Sequence, residues 1–254
     1  MSDDTERVKV TRHGRVLLVS MCRAAKRNAI DRAMADALDA AFNRIEDDDE
    51  IWAGVLTGTD TVFSAGSDLT AGGDYITERG GEYGLVRRAR RKPLIAAVEG
   101  AALGGGLELV LACDLVVASR TARFGLPEVA IGVVPTCGAI FRAPRALPVN
   151  LGRQLVLTGT PISAARAYEG GFVNELADPG RAVETALDLA GRICTNAPVA
   201  VQACMTAMNN LLAEADGAGW SATEAAIEKI RHSADSQEGV KAFLEKRAPV
   251  WTGH

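Results

Sequence analysis

The sequence predicts an α/β fold that gives way to helices towards its C-terminus, and three observations carry that prediction. Strand and helix periodicities alternate to about Leu176, and mostly helical patterns follow from Gly180. Between Ile95 and Asp114 the chain reads IAAVEGAALGGGLELVLACD: an apolar strand, a turn at Gly104-Gly105-Gly106, then a helix over Leu107 to Cys113 with Glu108 in its first turn. With 254 residues, 48% of them hydrophobic, the chain is long enough to bury one substantial core.

Each element has a local reason. Val8–Arg12 and Val16–Ser20 flank His13-Gly14 as a hairpin. Ile30, Met34, Leu38, Ala41, Phe42 and Ile45 recur at helical spacing, with Asp31 placed to cap the helix they mark. The acidic run Glu46 to Glu50 reads as a solvated helix end. Trp52–Thr57 is a strand that leads through Gly58 to Asp60 into FSAGSDL, where Ala65, Gly66 and Ser67 make a second small-residue turn. Ala71 to Gly84, rich in Gly and acidic residues, reads as a mobile loop beside a binding site. Arg87, Arg88, Arg90, Arg91 and Lys92 read as a solvated helix face that Pro93 ends. Asp114–Ala118 and Ala122–Gly125 are further strands, running into Leu126-Pro127-Glu128-Val129. Ala182, Ala186, Leu189 and Ile193 mark one later helix, Pro198 opens another, and Met205, Met208, Leu211 and Leu212 form a stripe for core or subunit contact.

Charge and cysteine usage exclude several functions. The 28 basic and 32 acidic residues give a net charge of −4, so no general attraction to nucleic acid or an anionic membrane is expected. The start Met1-Ser2-Asp3-Asp4 is unlike a signal peptide and no apolar run reaches membrane-span length, which makes a cytoplasmic location the expectation. Cys22, Cys113, Cys137, Cys194 and Cys204 form no C-x-x-C pair, and His13, His232 and His254 lack metal-ligand spacing, so neither a disulfide framework nor a metal site is expected. Cys113 and Cys204 fall in apolar helical patterns and read as buried, inert thiols.

The two glycine-bearing turns carry the chemistry. Each follows a strand and leaves backbone N–H groups unobstructed, so one donor from each could hold a single partly anionic oxygen. No G-x-G-x-x-G and no P-loop Lys-Ser or Lys-Thr accompanies them, and no G-x-S-x-G elbow makes Ser67 a nucleophile. Glu128, 20 residues after Glu108, either charges a helix start or returns across a strand pair to the same end of the layer. Two carboxylates converging there would divide acid and base work, since burial and repulsion separate their pKa values.

These blocks, from Lys26-Arg27-Asn28-Ala29 through FSAGSDL, AALGGGLELVLACDLVVAS and ARFGLPEVAIGVVP to LTGTPISAARAYEGGFVNEL and FLEKRAP, resemble the crotonase (enoyl-CoA hydratase/isomerase) family almost end to end. The resemblance implies a ClpP/crotonase-type spiral of ββα units over residues 1–178. It also implies a helical region over 179–254 that builds homotrimers, or hexamers as dimers of trimers. It implies an oxyanion hole from the N–H groups of Ser67 and Gly105, and a thioester-enolate chemistry in which Glu108 and Glu128 add water to a 2-enoyl-CoA. Coenzyme A would come as part of the substrate, with no separate cofactor. Its contacts would fall on Lys26, Ala65, Asp68, Leu69, Phe243 and Lys246. Where many hydratases read Pro-Gly-Ala-Gly-Gly, this chain has Pro135-Thr136-Cys137-Gly138-Ala139, so Thr136 either caps the next helix or reshapes the acyl pocket. The GLPEV context resembles a subgroup that includes carnitinyl-CoA hydratases and enzymes of bulky acyl groups. Double-bond isomerisation, carnitinyl-CoA-type dehydration and non-catalytic acyl-CoA binding are the alternatives to hydration.

Overall fold

The computed structural model describes residues 6–73 and 75–254. The acidic start at Met1–Asp4 lies outside the described residues. The chain opens with the hairpin of β1 (Val8–His13) and β2 (Val16–Met21), then α1 (Arg32–Asp47), β3 (Ala53–Thr57) and β4 (Val62–Ser64). After the short antiparallel pair β5 (Ile76–Thr77) and β6 (Gly81–Glu82) come β7 (Leu94–Val98), β8 (Ala101–Leu103), α2 (Gly105–Leu111), β9 (Leu115–Ser119) and β10 (Arg123–Gly125). The remainder is α3 (Ala139–Ala146), α4 (Val149–Thr158), β11 (Ile162–Ser163), α5 (Ala164–Glu169), β12 (Glu175–Ala177), α6 (Ala182–Cys194), α7 (Pro198–Ile230) and α8 (Ala234–Glu245).

Two sheets share the strands in a regular way. One has the order β1-β2-β3-β7-β9-β12 and the other β11-β10-β8-β4. Three successive strand pairs, β3/β4, β7/β8 and β9/β10, each put the first member in the larger sheet and the second in the smaller, so the chain spirals between them. In the smaller sheet β4, β8 and β10 are adjacent and parallel, which brings their C-terminal ends to one edge. The three segments that leave those ends are 65–67, 104–108 and 126–128, and ligands of such sheets gather beyond the carboxyl ends of the strands.

The larger sheet is covered on both faces, which explains why β3 and β7 are buried throughout and read as continuous apolar runs. Leu56, Ala96, Val98 and Val116 face a core shared with Met34, Leu38, Phe42 and Ile45 of α1. The alternate residues Val55, Ile95, Ala97 and Val117 face Ala182, Ala186 and Ala190, the small stripe of α6. Asp31 caps α1 as its position suggests, accepting from Met34 N at 2.9 Å.

Charged segments behave differently from their sequence reading. Residues 87–92 form no helix, and Arg88 and Lys92 are buried. Arg88 pairs with Asp39 at 2.6 Å, and Lys92 Nζ donates to the carbonyls of Ile45 and Asp48 where α1 ends. Glu46, in the supposedly solvated acidic run, is buried and accepts from the N–H groups of Arg91 and Lys92. Interlocking charges therefore clamp the end of α1 to the approach to β7. The stretch from Ala71 to Gly84 likewise carries the buried Thr77, Glu82 and Tyr83 rather than forming an open loop. Cys113 is half-buried, its thiol pushed up to about 12 by desolvation, whereas Cys204 is exposed on α7. On the same helix Met205 is buried, while Val199, Met208, Leu211 and Leu212 are exposed. Among the described residues no helix is long and apolar enough to cross a membrane.

Lys92→Ala would leave two helix-end carbonyls without their donor. The expected loss is about 1–3 kcal/mol of stability, measured as a lowered urea midpoint with an unchanged slope.

Candidate active site

At the edge where β4, β8 and β10 end, the two small-residue turns abut. A Cβ on Gly66, which has φ +91°, would sit 2.8 Å from Gly105 N, so only glycine allows this approach. Gly105 N opens α2 and so has no intrahelical acceptor, and Ser67 N has no backbone acceptor among the described residues. The neighbouring donors are tied into the scaffold: Gly66 N donates to Ser64 Oγ, Asp68 N to Ile30 O and Gly104 N to Gly125 O. The fold thus leaves Ser67 N and Gly105 N among the donors without an acceptor where the two turns meet.

Gly104, at φ +54° and ψ −126°, turns the chain into α2 and makes room for the second acid. A Cβ there would lie 3.3 Å from Glu128 Oε1. Glu128 stands on the short 3₁₀ turn Pro127–Ile131 beyond β10, and its Oε2 is buried without a hydrogen-bond partner among the described residues. Glu108 is 2% exposed and held by two backbone donors, Cys137 N at 2.7 Å and Ala139 N at 3.0 Å, both to Oε1. Burial pushes the Glu108 carboxyl up to about 7, against the pull of those donors and of Arg142. Burial and then the Glu108 charge push Glu128 up to about 8. Around neutrality the pair therefore holds one proton more readily than none or two. Such a pair can take a proton with one carboxyl and give one with the other.

The other residues singled out from sequence are distributed unevenly. Thr136 is half-buried and adjoins Cys137, with Oγ1 and Sγ 3.5 Å apart; the cap of α3 is Gly138, so Thr136 does not cap it. Lys26 and Ala65 are both exposed and lie on adjoining segments, since Ala65 N donates to Arg27 O. Leu69 is exposed, but Asp68 is buried, ion-paired to Arg23 at 2.8 Å and accepting from Thr70. The Thr70 and Arg23 bonds hold its carboxyl below the usual range despite burial. Phe243 and Lys246 are exposed at the end of α8, a helix that packs on the Glu128 turn through Gly239 against Ile131.

Sequence reasoning missed the two tyrosines. Tyr83 is fully buried at φ +56°, its hydroxyl 2.7 Å from Ser67 Oγ and packed so closely on Gly105 that a Cβ there would collide with it. Tyr75 stacks against it, with ring centroids 4.7 Å apart. The only signal was a tyrosine following a Gly-Gly-acid triplet twice, in GGDY and GGEY. A cleft of ≈ 910 Å³ lies elsewhere, bordered by Arg87, Arg90, Arg145, Asn209 and Trp220, and neither Glu108 nor Glu128 lines it.

The raised carboxyls fix a pH dependence. Both acids are protonated in folded and unfolded chains below the ordinary value of 4.5, and the folded protein alone resists their ionisation above it. Their contribution to stability is therefore present at acid pH and lost as pH rises through about 7 and 8. Glu128→Gln is expected to flatten the fall in urea midpoint between about pH 5 and pH 9 and to exceed the unsubstituted chain at the alkaline end.

Comparison with known proteins agrees with this geometry. Residues 11–254 match the family model for enoyl-CoA hydratase/isomerase. A carnitinyl-CoA dehydratase of Salmonella typhi is 36% identical over 260 residues, covering 98% of this chain and 99% of the relative. Enoyl-CoA hydratase EchA19 of Mycobacterium tuberculosis is 37% identical over 252 residues, covering 94% of each. The crystal structure of a carnitinyl-CoA hydratase from Mycobacterium avium superposes with a TM-score of 0.92 at 40% identity, covering 98% of this chain and 99% of that one. With its spiral of paired strands and nearly its whole length matched, the chain belongs to the enoyl-CoA hydratase/isomerase family and has the crotonase fold.

Proposed function

We propose that the protein is a hydro-lyase that adds water across the 2,3 double bond of a 2-enoyl-CoA in fatty-acid or related acyl-CoA metabolism. The observation that carries this reading is the buried carboxyl of Glu108 with the half-buried Glu128, whose Oε2 is buried and unpartnered among the described residues, beside the N–H groups of Ser67 and Gly105. In the proposed site Ser67 N and Gly105 N hold the thioester oxygen as it becomes an enolate, a service typically worth about a hundred- to thousandfold in rate per donor. Glu108 takes a proton from water as the water oxygen bonds to the β-carbon. Glu128 gives its proton to the α-carbon, and exchange between the carboxyls and solvent restores the starting state. Run backwards, the same steps remove water, and relatives named for carnitinyl-CoA dehydration make that direction the second reading.

The coenzyme A portion is proposed to run along Lys26, Ala65 and Leu69, with Phe243 of α8 and Lys246 just beyond it closing over it and Asp68 acting through Arg23. No separate cofactor is proposed. The exposed apolar residues of α7 support assembly of a homotrimer or a hexamer. A cytoplasmic location accords with the balanced charge.

The deciding experiment incubates the protein with 2-enoyl-CoA and 3-enoyl-CoA and identifies products by mass. Gain of one water by the 2-enoyl substrate is expected. Glu108→Gln and Glu128→Gln should each lower turnover by about a hundred- to ten-thousandfold. Conversion of the 3-enoyl substrate at full rate by Glu108→Gln would instead mean isomerisation by Glu128 alone, and binding without product would mean an acyl-CoA binder.

A further inference from the structure

One buried phenol touches both of the turns that carry Ser67 N and Gly105 N. The Tyr83 hydroxyl lies 2.7 Å from Ser67 Oγ, in a hydrogen bond that either oxygen can donate. A Cβ on Gly105 would collide with that same hydroxyl and lie 2.7 Å from Cζ, so the edge of the ring rests on the first residue of α2. The backbone of the Ser67 turn is tied to Ile30 through its neighbours. Ile30 N donates to Gly66 O and Asp68 N to Ile30 O, which directs the N–H of Ser67 itself to the opposite side of the segment. Those bonds fix the segment but do not hold the Ser67 side chain, whose hydroxyl is bonded to Tyr83.

Tyr83 keeps this place in a strained conformation. Its φ of +56° lies in the left-handed region that bulky side chains rarely adopt. Strain of this kind persists where the surroundings over-determine it, and it gathers at functional sites. Here Tyr83 N donates to Tyr75 O at 2.9 Å, and Gly84 packs so closely on α1 that a Cβ would lie 2.6 Å from Asp39 N. The buried Arg88 donates from Nε to Gly84 O at 2.9 Å while pairing with Asp39. Packing alone asks for no hydroxyl at this position, since a phenylalanine ring would fill the same space without burying a polar group. Burial, and after it the neighbouring Cys137 and Glu108, pushes the Tyr83 hydroxyl well above its ordinary value, so it stays protonated where the two acids titrate.

We propose that Tyr83 is a positioning residue: through Ser67 Oγ and the face of Gly105 it holds the two N–H groups at the spacing that suits the oxygen of a forming thioester enolate. The proposal rests on the reading of the site as an acyl-CoA site. Donors set for the enolate oxygen act on turnover more than on ground-state binding. The test therefore measures kcat and KM for 2-butenoyl-CoA, together with the carbonyl stretch of bound butanoyl-CoA by isotope-edited infrared spectroscopy. Polarisation by the donors lowers that stretch, and a merely structural tyrosine would not govern it. Tyr83→Phe keeps the ring on Gly105 and removes the bond to Ser67, and Ser67→Ala removes the same bond from the other side while keeping its backbone N–H. Each is expected to lower kcat by about three- to tenfold, as the loss of one hydrogen bond implies, with KM changed less than about twofold. Each should also lose part of the lowered stretch, and the double variant should be no worse than either single one, because both remove one interaction. A native kcat and stretch in Tyr83→Phe, or in Ser67→Ala should the first variant fail to fold, would overturn the proposal. Losses that multiply in the double variant would overturn it too. Absence of hydration with the stretch pattern retained would remove the hydratase reading and leave Tyr83 its role. Absence of any lowered stretch in the unsubstituted chain would remove the acyl-CoA reading and the proposal with it.

Discussion

The buried carboxylate of Glu108 is the constraint on which the site depends. A charge 2% exposed cannot be left without partners, and it finds them in the N–H groups of Cys137 and Ala139. Those bonds fasten the first turn of α2 to the start of α3, two segments that no strand pairing connects. They thereby fix where Thr136 and Cys137 lie. The same burial that requires the donors raises the affinity of Glu108 for a proton to a useful range.

The second constraint is geometric and belongs to the smaller sheet. Because β4, β8 and β10 are parallel neighbours, three turns far apart in sequence leave from one edge. Close approach then does the selecting. Nothing larger than hydrogen fits at Gly66 against Gly105, and the turn at Gly104 leaves its side to the Glu128 carboxyl. A site with one donor after β4, a donor and an acid after β8 and a second acid after β10 follows from strand order.

Charge burial recurs as a structural device away from this edge. The clamp of Arg88, Lys92 and Glu46 against Asp39 and the end of α1 uses groups that composition alone places at the surface. Each of them has backbone or side-chain partners, as the cost of burying them demands. The segment that they secure runs straight into β7, so the rigidity of the central strands and that of the turn after β8 have a common base.

The sequence by itself determined the elements whose signals are local. The hairpin, α1 with its Asp31 cap, the strands that flank the glycine turns, and the long helical end all follow from periodicity and capping. The motif blocks further marked the family and drew attention to Gly105, Ser67, Glu108 and Glu128. Only the tertiary structure decided what depends on contacts across the chain. Arg88 and Lys92 turn inward because Asp39 and the carbonyls of α1 lie within reach, and a charge run carries no sign of such partners. Asp68 turns from the surface to Arg23, 45 residues earlier. Tyr83 becomes part of the site because Gly105 has no side chain to keep it away, and no spacing in the sequence encodes that proximity. Local patterns fix local conformation; the pairing of buried polar groups is fixed by which strands become neighbours.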